Sequence, residues 1–281
     1  MFKAENWKDY ELIDASDGER LERWGKYILV RPDPQVIWKG EKKHPLWKKA
    51  DAIYRRSSSG GGEWIKKDVP EEWEISHGDM RFLLSPMGFK HTGLFPEQAA
   101  NWEYMRSVIN GRKLKVLNLF AYTGGASLAA RKAGADVTHL DSVKQVVTWA
   151  RQNMELSRLD SIRWVVEDAL KFVRREARRG NTYQGIMLDP PAYGHGPDGE
   201  KWKLDDCLYE MLCLVGQILA PKDSFLILNL YANGYSSLLA DTAVRSAFNL
   251  KADADVSCGE LVLRDSFGKA LPLSVFARVK K

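Results

Sequence analysis

The stretch NLFAYTGGASLAARKAGADVTHLD, residues 118–141, constrains this chain more than any other. The apolar run before it, Leu114–Leu119, reads as a buried strand. Gly124-Gly125 stands where a helix should begin, and Leu128, Ala129, Ala130 and Ala133 recur at helical spacing until Gly134. Val137–Leu140 then predicts a second strand that stops at Asp141. Strand, glycine turn, helix, strand and acid make one βαβ unit able to hold a nucleoside. Glycine lets a backbone approach a ligand closely. The first N–H groups of the helix face whatever sits above the strand ends, and the acid after the second strand can accept both hydroxyls of a ribose. The dinucleotide fingerprint GxGxxG is absent, so a tight turn made for packing alone is the competing reading.

The chain continues in the same alternation. Helices are predicted over Val143–Leu156, after Glu167-Asp168, over Lys203–Leu219 and over Ser236–Phe248. Strands are predicted over Ile162–Val166, Tyr183–Leu188, Phe225–Leu230, Val256–Val262 and Ser274–Val279. Strands alternating with helices give an α/β, doubly wound, Rossmann-like sheet. The last two strands have no helix between them, which implies a C-terminal antiparallel hairpin. On the helix after Asp168, Lys171, Arg174, Arg175, Arg178 and Arg179 read as a solvated face.

In such a sheet, ligands bind at the carboxyl ends of the strands, beside the point where strand order reverses. Gly124-Gly125, Asp141, Asp168 and Asp189-Pro190-Pro191 all fall at such ends. A ligand crossing the first three would meet backbone N–H groups, a ribose acceptor and an acceptor for an exocyclic amine, the parts of an adenosyl group. Pro190 and Pro191 fix the backbone leaving the fourth strand, so the acid and carbonyls there form a rigid rim for a planar substrate. Tyr193 can stack on a base. Gly194, Gly196 and Gly199 predict a mobile loop that could serve as a lid. A proline stop followed by a glycine loop is the plainer alternative.

Residues 1–85 read as a small, separate β-rich domain, and residues 86–281 as the second domain. Tyr10–Ala15 and Tyr27–Val30 are strand candidates, Asp17-Gly18 is a turn, and Trp73–Ser76 with Met80–Leu84 reads as a hairpin. Phe95-Pro96-Glu97-Gln98 opens the first helix, with Pro96 suited to its first turn. Between Lys39 and Lys67, nine basic residues face only Glu41, Asp51 and Glu63, with Trp38, Trp47, Tyr54 and Trp64 interleaved and the Ser57-to-Gly62 run lending freedom. Cations take phosphates and aromatic faces stack on unpaired bases, so this segment is a candidate RNA contact. The alternative is a solvated loop whose aromatics anchor a core.

Composition narrows the classes. A chain of 281 residues makes one large or two modest domains, and 44% hydrophobic residues supply a core. No apolar run reaches 18 residues, so no membrane span is expected. The charged start MFKAENWKDYELID predicts no signal peptide. Cys207, Cys213 and Cys258 form no CxxC pair and read as free thiols of a reducing cytoplasm. The five histidines match no metal-ligand spacing, and the net charge of +5 permits a polyanionic partner without requiring one.

NLFAYTGGASLAA, DSVKQVVTWARQNMELSRL, VVEDALKFV and LDPPAYG together resemble the class I S-adenosylmethionine-dependent methyltransferases. More narrowly they are similar to the bacterial large-subunit ribosomal RNA methyltransferases that act on cytosine carbon-5 or guanine nitrogen-7. HTGLFPEQ, residues 91–98, resembles that family's KTGFFLDQ-like lead-in, with His91 for the usual lysine. The resemblance covers residue 85 to the end. It implies S-adenosyl-L-methionine as cofactor and RNA, ribosomal RNA first, as partner. It places Thr92, Phe120, Tyr122, Gly124, Gly125, Asp141 and Asp168 at the cofactor, and Asp189, Pro190, Pro191 and Tyr193 at the methyl acceptor.

One departure bears on the chemistry. Methylation of cytosine carbon-5 uses a cysteine thiolate on carbon-6, usually from the end of the fourth or fifth strand. Here those ends read DPPAYG and NLYANG, without cysteine. Nitrogen methylation needs only alignment and a proton acceptor. Other readings on the same sheet are a cofactor-binding RNA-binding protein without turnover and a methyltransferase for DNA, protein or a small molecule. A nicotinamide oxidoreductase is disfavoured by the missing GxGxxG.

Overall fold

The computed structural model describes residues 2–3, 6–57, 61–86, 90–231 and 234–281. Its contacts divide the chain into two compact units, one of Lys3–Ala99 with Val262–Leu273, the other of Met1–Phe2, Ala100–Leu261 and Ser274–Lys281. The boundary expected at 85 thus falls at Ala99. The tip of the terminal hairpin, expected with the second domain, packs with the first.

The two-residue β1 (Phe2–Lys3) belongs to the sheet of the second unit; the first unit holds β2 (Tyr10–Ser16), β3 (Glu19–Trp24), β4 (Tyr27–Pro32), β5 (Ala52–Arg56) and β6 (Gly62–Lys66). β2 to β6 form one sheet in sequence order. β4 pairs with β5 in parallel, and the other neighbours are antiparallel. β7 (Trp73–His77) and β8 (Met80–Leu84) make the expected hairpin. Asp17 and Gly18, with φ of 51° and 74°, form the predicted turn, but it leads straight into β3, which apolar periodicity did not reveal. Glu22 in β3 is fully buried, its carboxylate taken by Arg31 Nε and Nη2 at 2.6 and 2.8 Å and by the Tyr10 hydroxyl at 2.8 Å. Burial alone would raise its pKa; Arg20 and Arg31 outweigh that and hold it down at about 2. The hairpin tip joins this unit through Lys269 Nζ, 3.0 Å from Asp14 and 2.9 Å from the Ala15 carbonyl.

The segment expected as a basic loop is largely structured, by β5, β6 and a 3₁₀ turn over Pro45–Lys49. Its aromatics belong to the fold. The Trp38 indole donates to the Ala15 carbonyl at 2.6 Å and the Trp47 indole to Asp14 at 2.8 Å, Tyr54 is buried, and Trp64 meets its ring edge-on. Ser58, Ser59 and Gly60 of the flexible run lie outside the described residues.

The second unit holds α1 (Ala99–Ile109), continuing the 3₁₀ turn at Pro96–Gln98, then β9 (Lys115–Leu119), α2 (Gly125–Lys132), β10 (Asp136–Asp141), α3 (Lys144–Leu156), β11 (Ile162–Val166) and α4 (Ala169–Arg178). After β12 (Gly185–Leu188) come two short strands, β13 (Tyr193–His195) and β14 (Lys201–Lys203). Then follow α5 (Leu204–Ile218), β15 (Phe225–Tyr231), α6 (Ser237–Ala247), β16 (Val256–Arg264) and β17 (Ala270–Lys280). The sheet order is β1-β16-β17-β15-β12-β9-β10-β11. β9, β10, β11, β12 and β15 run parallel, and β17 lies antiparallel to β15, as the missing last helix requires. The chain steps outward from β9 to β10 and β11, then returns to β12 on the other side, so the order reverses between β9 and β12. Leu117, Leu119, Ile186, Leu188, Leu226 and Leu228 from the central strands are buried with Phe172 of α4 and Met211, Leu212 and Val215 of α5. Among the described residues no helix is long and apolar enough to cross a membrane.

Candidate cofactor and acceptor site

The turn after β9 is shaped by backbone rather than by glycine alone. Phe120, Tyr122 and Gly124 all take left-handed conformations, with φ of 57°, 49° and 91°. Two of the three are not glycine, and each such residue costs about 1–2 kcal/mol that the surroundings must offset. They do so by hydrogen bonds. Ala121 N donates to the Leu140 carbonyl at 3.0 Å, Tyr122 N to Asp141 Oδ2 at 2.9 Å, and Asn153 Nδ2 to the Thr123 carbonyl at 2.9 Å. Beneath the turn, Asn118 Nδ2 lies 2.9 Å from Ser127 Oγ, which lies 3.0 Å from His139 Nδ1. Burial pushes His139 down to about 3, so it stays neutral.

The two glycines have different causes. Gly124 is required by its φ. Gly125 is required by packing, since a Cβ there would stand 2.5 Å from Cζ2 of Trp102 in α1. Neither borders the cavity above the strand ends.

That cavity, of about 30 Å3, is lined by Phe120 after β9, by Asp141, Ser142, Glu167 and Asp168 at the ends of β10 and β11, and by Pro191, Gly194, His195, Gly196 and Trp202 from the stretch after β12. Asp141 Oδ2 takes the Tyr122 N–H and Oδ1 takes the Val143 N–H, at 2.9 and 3.0 Å. Burial raises its pKa, and these amides work against that rise. Asp168 caps α4, with Oδ1 accepting from Lys171 N at 2.8 Å, so one of its oxygens is engaged by the helix.

A family model described as S-adenosylmethionine-dependent methyltransferase matches residues 19–253. The chain belongs to this family. A crystal structure of the SAM-dependent methyltransferase from Agrobacterium tumefaciens matches 99% of this chain and 92% of its own, at 39% identity and a TM-score of 0.93. SMU.776, described as a putative methyltransferase and crystallised with SAH, shares the fold over 98% of this chain and 76% of its own, at 18% identity and a TM-score of 0.73. Among curated proteins, ribosomal RNA large subunit methyltransferase K/L of Syntrophotalea carbinolica is 33% identical over 143 residues, 50% of this chain. Ribosomal RNA large subunit methyltransferase I of Cronobacter sakazakii is 25% identical over 224 residues, 68% of this chain. The matches span 19% and 56% of those two relatives' own lengths.

The cofactor of such a methyltransferase is S-adenosylmethionine, and the cavity's chemistry fits it. Two carboxylates sit at the ends of β10 and β11, each tied to the backbone by some lone pairs with others left for ligand hydroxyl and amine groups. Phe120 and Trp202, 4.7 Å apart between ring centres, offer an apolar floor. Of the residues expected at the cofactor, the cavity joins Phe120, Asp141 and Asp168. Tyr122 acts through its backbone N–H, and Gly124 and Gly125 shape the turn. Thr92 lies in the other compact unit, buried, its hydroxyl without a partner among the described residues. Ser142, Glu167, His195 and Trp202 were missed by sequence reasoning, though the last two stand in the HGPDGEKW run that follows the proline rim.

Asp189 leaves β12 and accepts a hydrogen bond from Asn229 Nδ2 of β15 at 2.7 Å. The Asn229 amide is itself fixed by Ser274 of β17, whose hydroxyl lies 3.0 Å from its oxygen. Burial raises the Asp189 carboxyl to about 6, and the Asn229 amide restrains the rise. Pro190 is buried and Pro191 exposed. The glycine-rich stretch after them is not a free loop. β13 and β14 pair as an antiparallel hairpin, because Trp202 buries its ring and donates to the Pro191 carbonyl at 2.7 Å, while Leu204 N donates to the Ala192 carbonyl at 3.0 Å. Tyr193 stands exposed on this hairpin. The basic face of α4 is solvated as expected, with Lys171, Arg174, Arg178 and Arg179 exposed, and it carries surface ion pairs. Lys171 reaches Asp198 and Glu200, Arg174 pairs with Glu210, and Arg175 with Glu167.

Proposed function

We propose that this methyltransferase modifies a base of RNA, with ribosomal RNA the first candidate, and that the transfer is direct, to a nitrogen. Asp189 is the observation that carries this reading. It is a carboxylate at the end of β12 whose pKa is raised to about 6, beside the strand-order reversal and next to an exposed aromatic ring. S-adenosylmethionine supplies the electrophilic methyl group when bound. Asp141 and Asp168 hold its ribose and adenine. The proline rim fixes where the acceptor base lies, the Tyr193 ring stacks on it, and Asp189 accepts the proton that the nitrogen gives up as the new bond forms.

The ribosomal assignment draws on the names of the curated relatives, which act on large-subunit RNA. In the first unit, Lys39, Lys48, Lys49, Arg56, Lys66 and Lys67 are exposed and form no ion pair among the described residues, whereas Lys42 and Arg55 pair with Glu19 and Lys43 with Glu41. The free cations are the RNA contact, and the two compact units act as an RNA-holding and a methyl-transferring domain. Incubation with labelled S-adenosylmethionine and total RNA should label one RNA species at one nucleotide. Labelled protein instead of RNA would refute the reading. Replacing Lys48, Lys49, Lys66 and Lys67 with glutamine should reduce the slope of log affinity against log salt, by about 0.7 for each single-strand phosphate no longer neutralised.

A further inference from the structure

The sheet of the first unit has two unlike faces where it ends at β5 and β6. The register pairs Ala52 with Lys66, Tyr54 with Trp64 and Arg56 with Gly62, and the pleat turns these positions to one face. Ile53, Arg55, Glu63 and Ile65 take the other. That other face is occupied. Ile53 packs on a small core of Leu21, Ile28 and Val30, and Leu46 and Trp47 of the 3₁₀ turn pack against the same core. Arg55 pairs with Glu19. The first face carries no acid on either strand. We propose that it is a stacking platform for RNA: the Trp64 ring takes an unpaired base, and Arg56 and Lys66 take the phosphates on either side. The inference rests on the RNA reading above and narrows it from scattered cations to one surface.

The arrangement suits that ligand. The Trp64 and Tyr54 rings meet at 71° with centres 5.4 Å apart, and Tyr54 is buried, so the pair anchors Trp64 while part of its ring stays at the surface. Arg56 stands diagonally across from Trp64, and Lys66 stands two residues along the same strand. Both are exposed and form no ion pair among the described residues. Lys66 lies four residues from Gly62, the partner of Arg56. At a strand's rise that sets the two cations about 14 Å apart, one on each side of the ring.

The same face continues onto β4, where buried Arg31 donates from Nη1 to the Lys90 carbonyl at 3.1 Å. The Lys90 amine is half-buried and forms no ion pair among the described residues. Burial pushes it down to about 8, and Arg20, Arg31 and Arg56 add to that fall against the pull of Asp33. A crowd of cations beside Arg56 is what a bound phosphate relieves.

Anisotropy of a labelled, mixed-sequence single-stranded RNA of about 12 nucleotides with the full chain tests this, read across a salt series beside the same RNA as a duplex. The single strand should bind more tightly, since only unpaired bases stack. Trp64→Leu should weaken its binding about tenfold, within the range for one stacked base, and leave the slope of log affinity against log salt as it was. Trp64→Phe, which keeps a ring against Tyr54, should lose about threefold. Arg56→Gln with Lys66→Gln should reduce that slope by about 0.7 for each phosphate released. Lys48→Gln with Lys49→Gln, on the turn that packs against the other face, should leave affinity and slope nearly unchanged. Thermal melts confirm the fold of each variant; should Trp64→Leu fail to fold, Trp64→Phe and the Arg56 and Lys66 changes decide. Wild-type affinity in the Trp64 variants, equal affinity for strand and duplex, or a slope that falls with Lys48 and Lys49 but not with Arg56 and Lys66 would each overturn the platform and leave the RNA reading standing. Wild-type protein that binds neither strand nor duplex would strike the RNA reading itself.

Discussion

The two halves of the site are held by different means. On the cofactor side, the Phe120–Gly124 turn, Asp141 and Asp168 are fixed by hydrogen bonds to backbone N–H groups, from strands and a helix that are themselves core elements. On the acceptor side, Asp189 is fixed by a side-chain amide, and Tyr193 and His195 by each other on an exposed two-stranded hairpin. Backbone fixation gives a geometry that few single substitutions can move. Side-chain fixation gives one that can be tuned, and whose charge state responds to its neighbours. On the proposed RNA reading both are useful, because every turnover presents the same cofactor, while the acceptor base comes from a folded polymer and gives up a proton.

The sharpest way to break the contrast is at Asp189. Asp189→Asn keeps an oxygen for the Asn229 amide but cannot take a proton, so methyl transfer should fall at least about a hundredfold while SAH affinity holds. In the wild type, transfer requires the carboxylate, so the rate should rise with pH and reach half its plateau near the raised value of about 6. Asn229→Ala removes the group that restrains the rise, so that midpoint should move upward. Stability runs the other way. A carboxyl raised from an ordinary value near 3.9 favours the fold when protonated, and that contribution is lost as pH rises through about 6. Asp189→Asn should therefore stabilise the protein by about 1–3 kcal/mol at pH 8 and leave it unchanged at pH 3. Denaturant melts at the two values decide it; a variant equally stable relative to wild type at both would mean the carboxyl is not raised.

Asp141→Ala probes the other half. Losing the ribose acceptor should weaken SAH binding by about 1.5–3 kcal/mol. The same change frees the Tyr122 and Val143 N–H groups, so the turn itself should loosen, seen as faster amide exchange at residues 120–124. Affinity lost without that exchange would mean the turn is held elsewhere.

A smaller effect separates packing from binding within the glycine pair. Gly125→Ala should destabilise by about 1–3 kcal/mol, because the new methyl group meets the Trp102 ring at 2.5 Å. Trimming the ring in a Trp102→Leu background should relieve most of that cost. If Gly125→Ala instead leaves stability intact and abolishes SAH binding, the glycine serves the ligand after all.

The sequence showed the second unit well because its strands are continuous apolar runs and its helices are amphipathic, the periodicities that burial on both faces of a sheet demands. It also showed Asp141, Asp168 and Asp189 as strand-end acids. What escaped was structure made from charge. β3 reads ERLERW, and no alternation marks it, because Glu22 is buried by pairing with Arg31 rather than left to solvent. β5 and β6 were hidden by basic residues on their open face. The hairpin β13–β14 was hidden by its glycines, since its order comes from one tryptophan reaching back to a proline carbonyl, a bond that no local pattern encodes. The return of Val262–Leu273 to the first unit depends likewise on a distant partner, Asp14.

The smallest expected effect bears on mechanism, because it is an expected absence of one. If a thiolate attacked the acceptor base, one of Cys207, Cys213 or Cys258 would have to supply it. Cys207 and Cys213 are half-buried on α5, Cys207 packing against the core and bordering a groove with Arg174 and Glu210, and Cys258 is exposed on β16. None borders the cavity that holds Asp141 and Asp168. The end of β12 offers Asp189 and two prolines, and β15 offers Asn229; Ala232 and Asn233 beyond it lie outside the described residues, and neither is a cysteine. A variant with all three cysteines changed to alanine or serine should therefore retain most of its methyl-transfer rate once folding is confirmed by its melt. Its pH profile should match the wild type's, with the Asp189 limb near 6 and no other limb lost, since no thiol enters the reaction. Trapping a covalent adduct with RNA that carries 5-fluorocytosine, lost when Cys207 or Cys213 is replaced, would reverse this. It would make carbon-5 the acceptor, move the nucleophile to α5, and leave Asp189 as a group that orients the base rather than one that takes its proton.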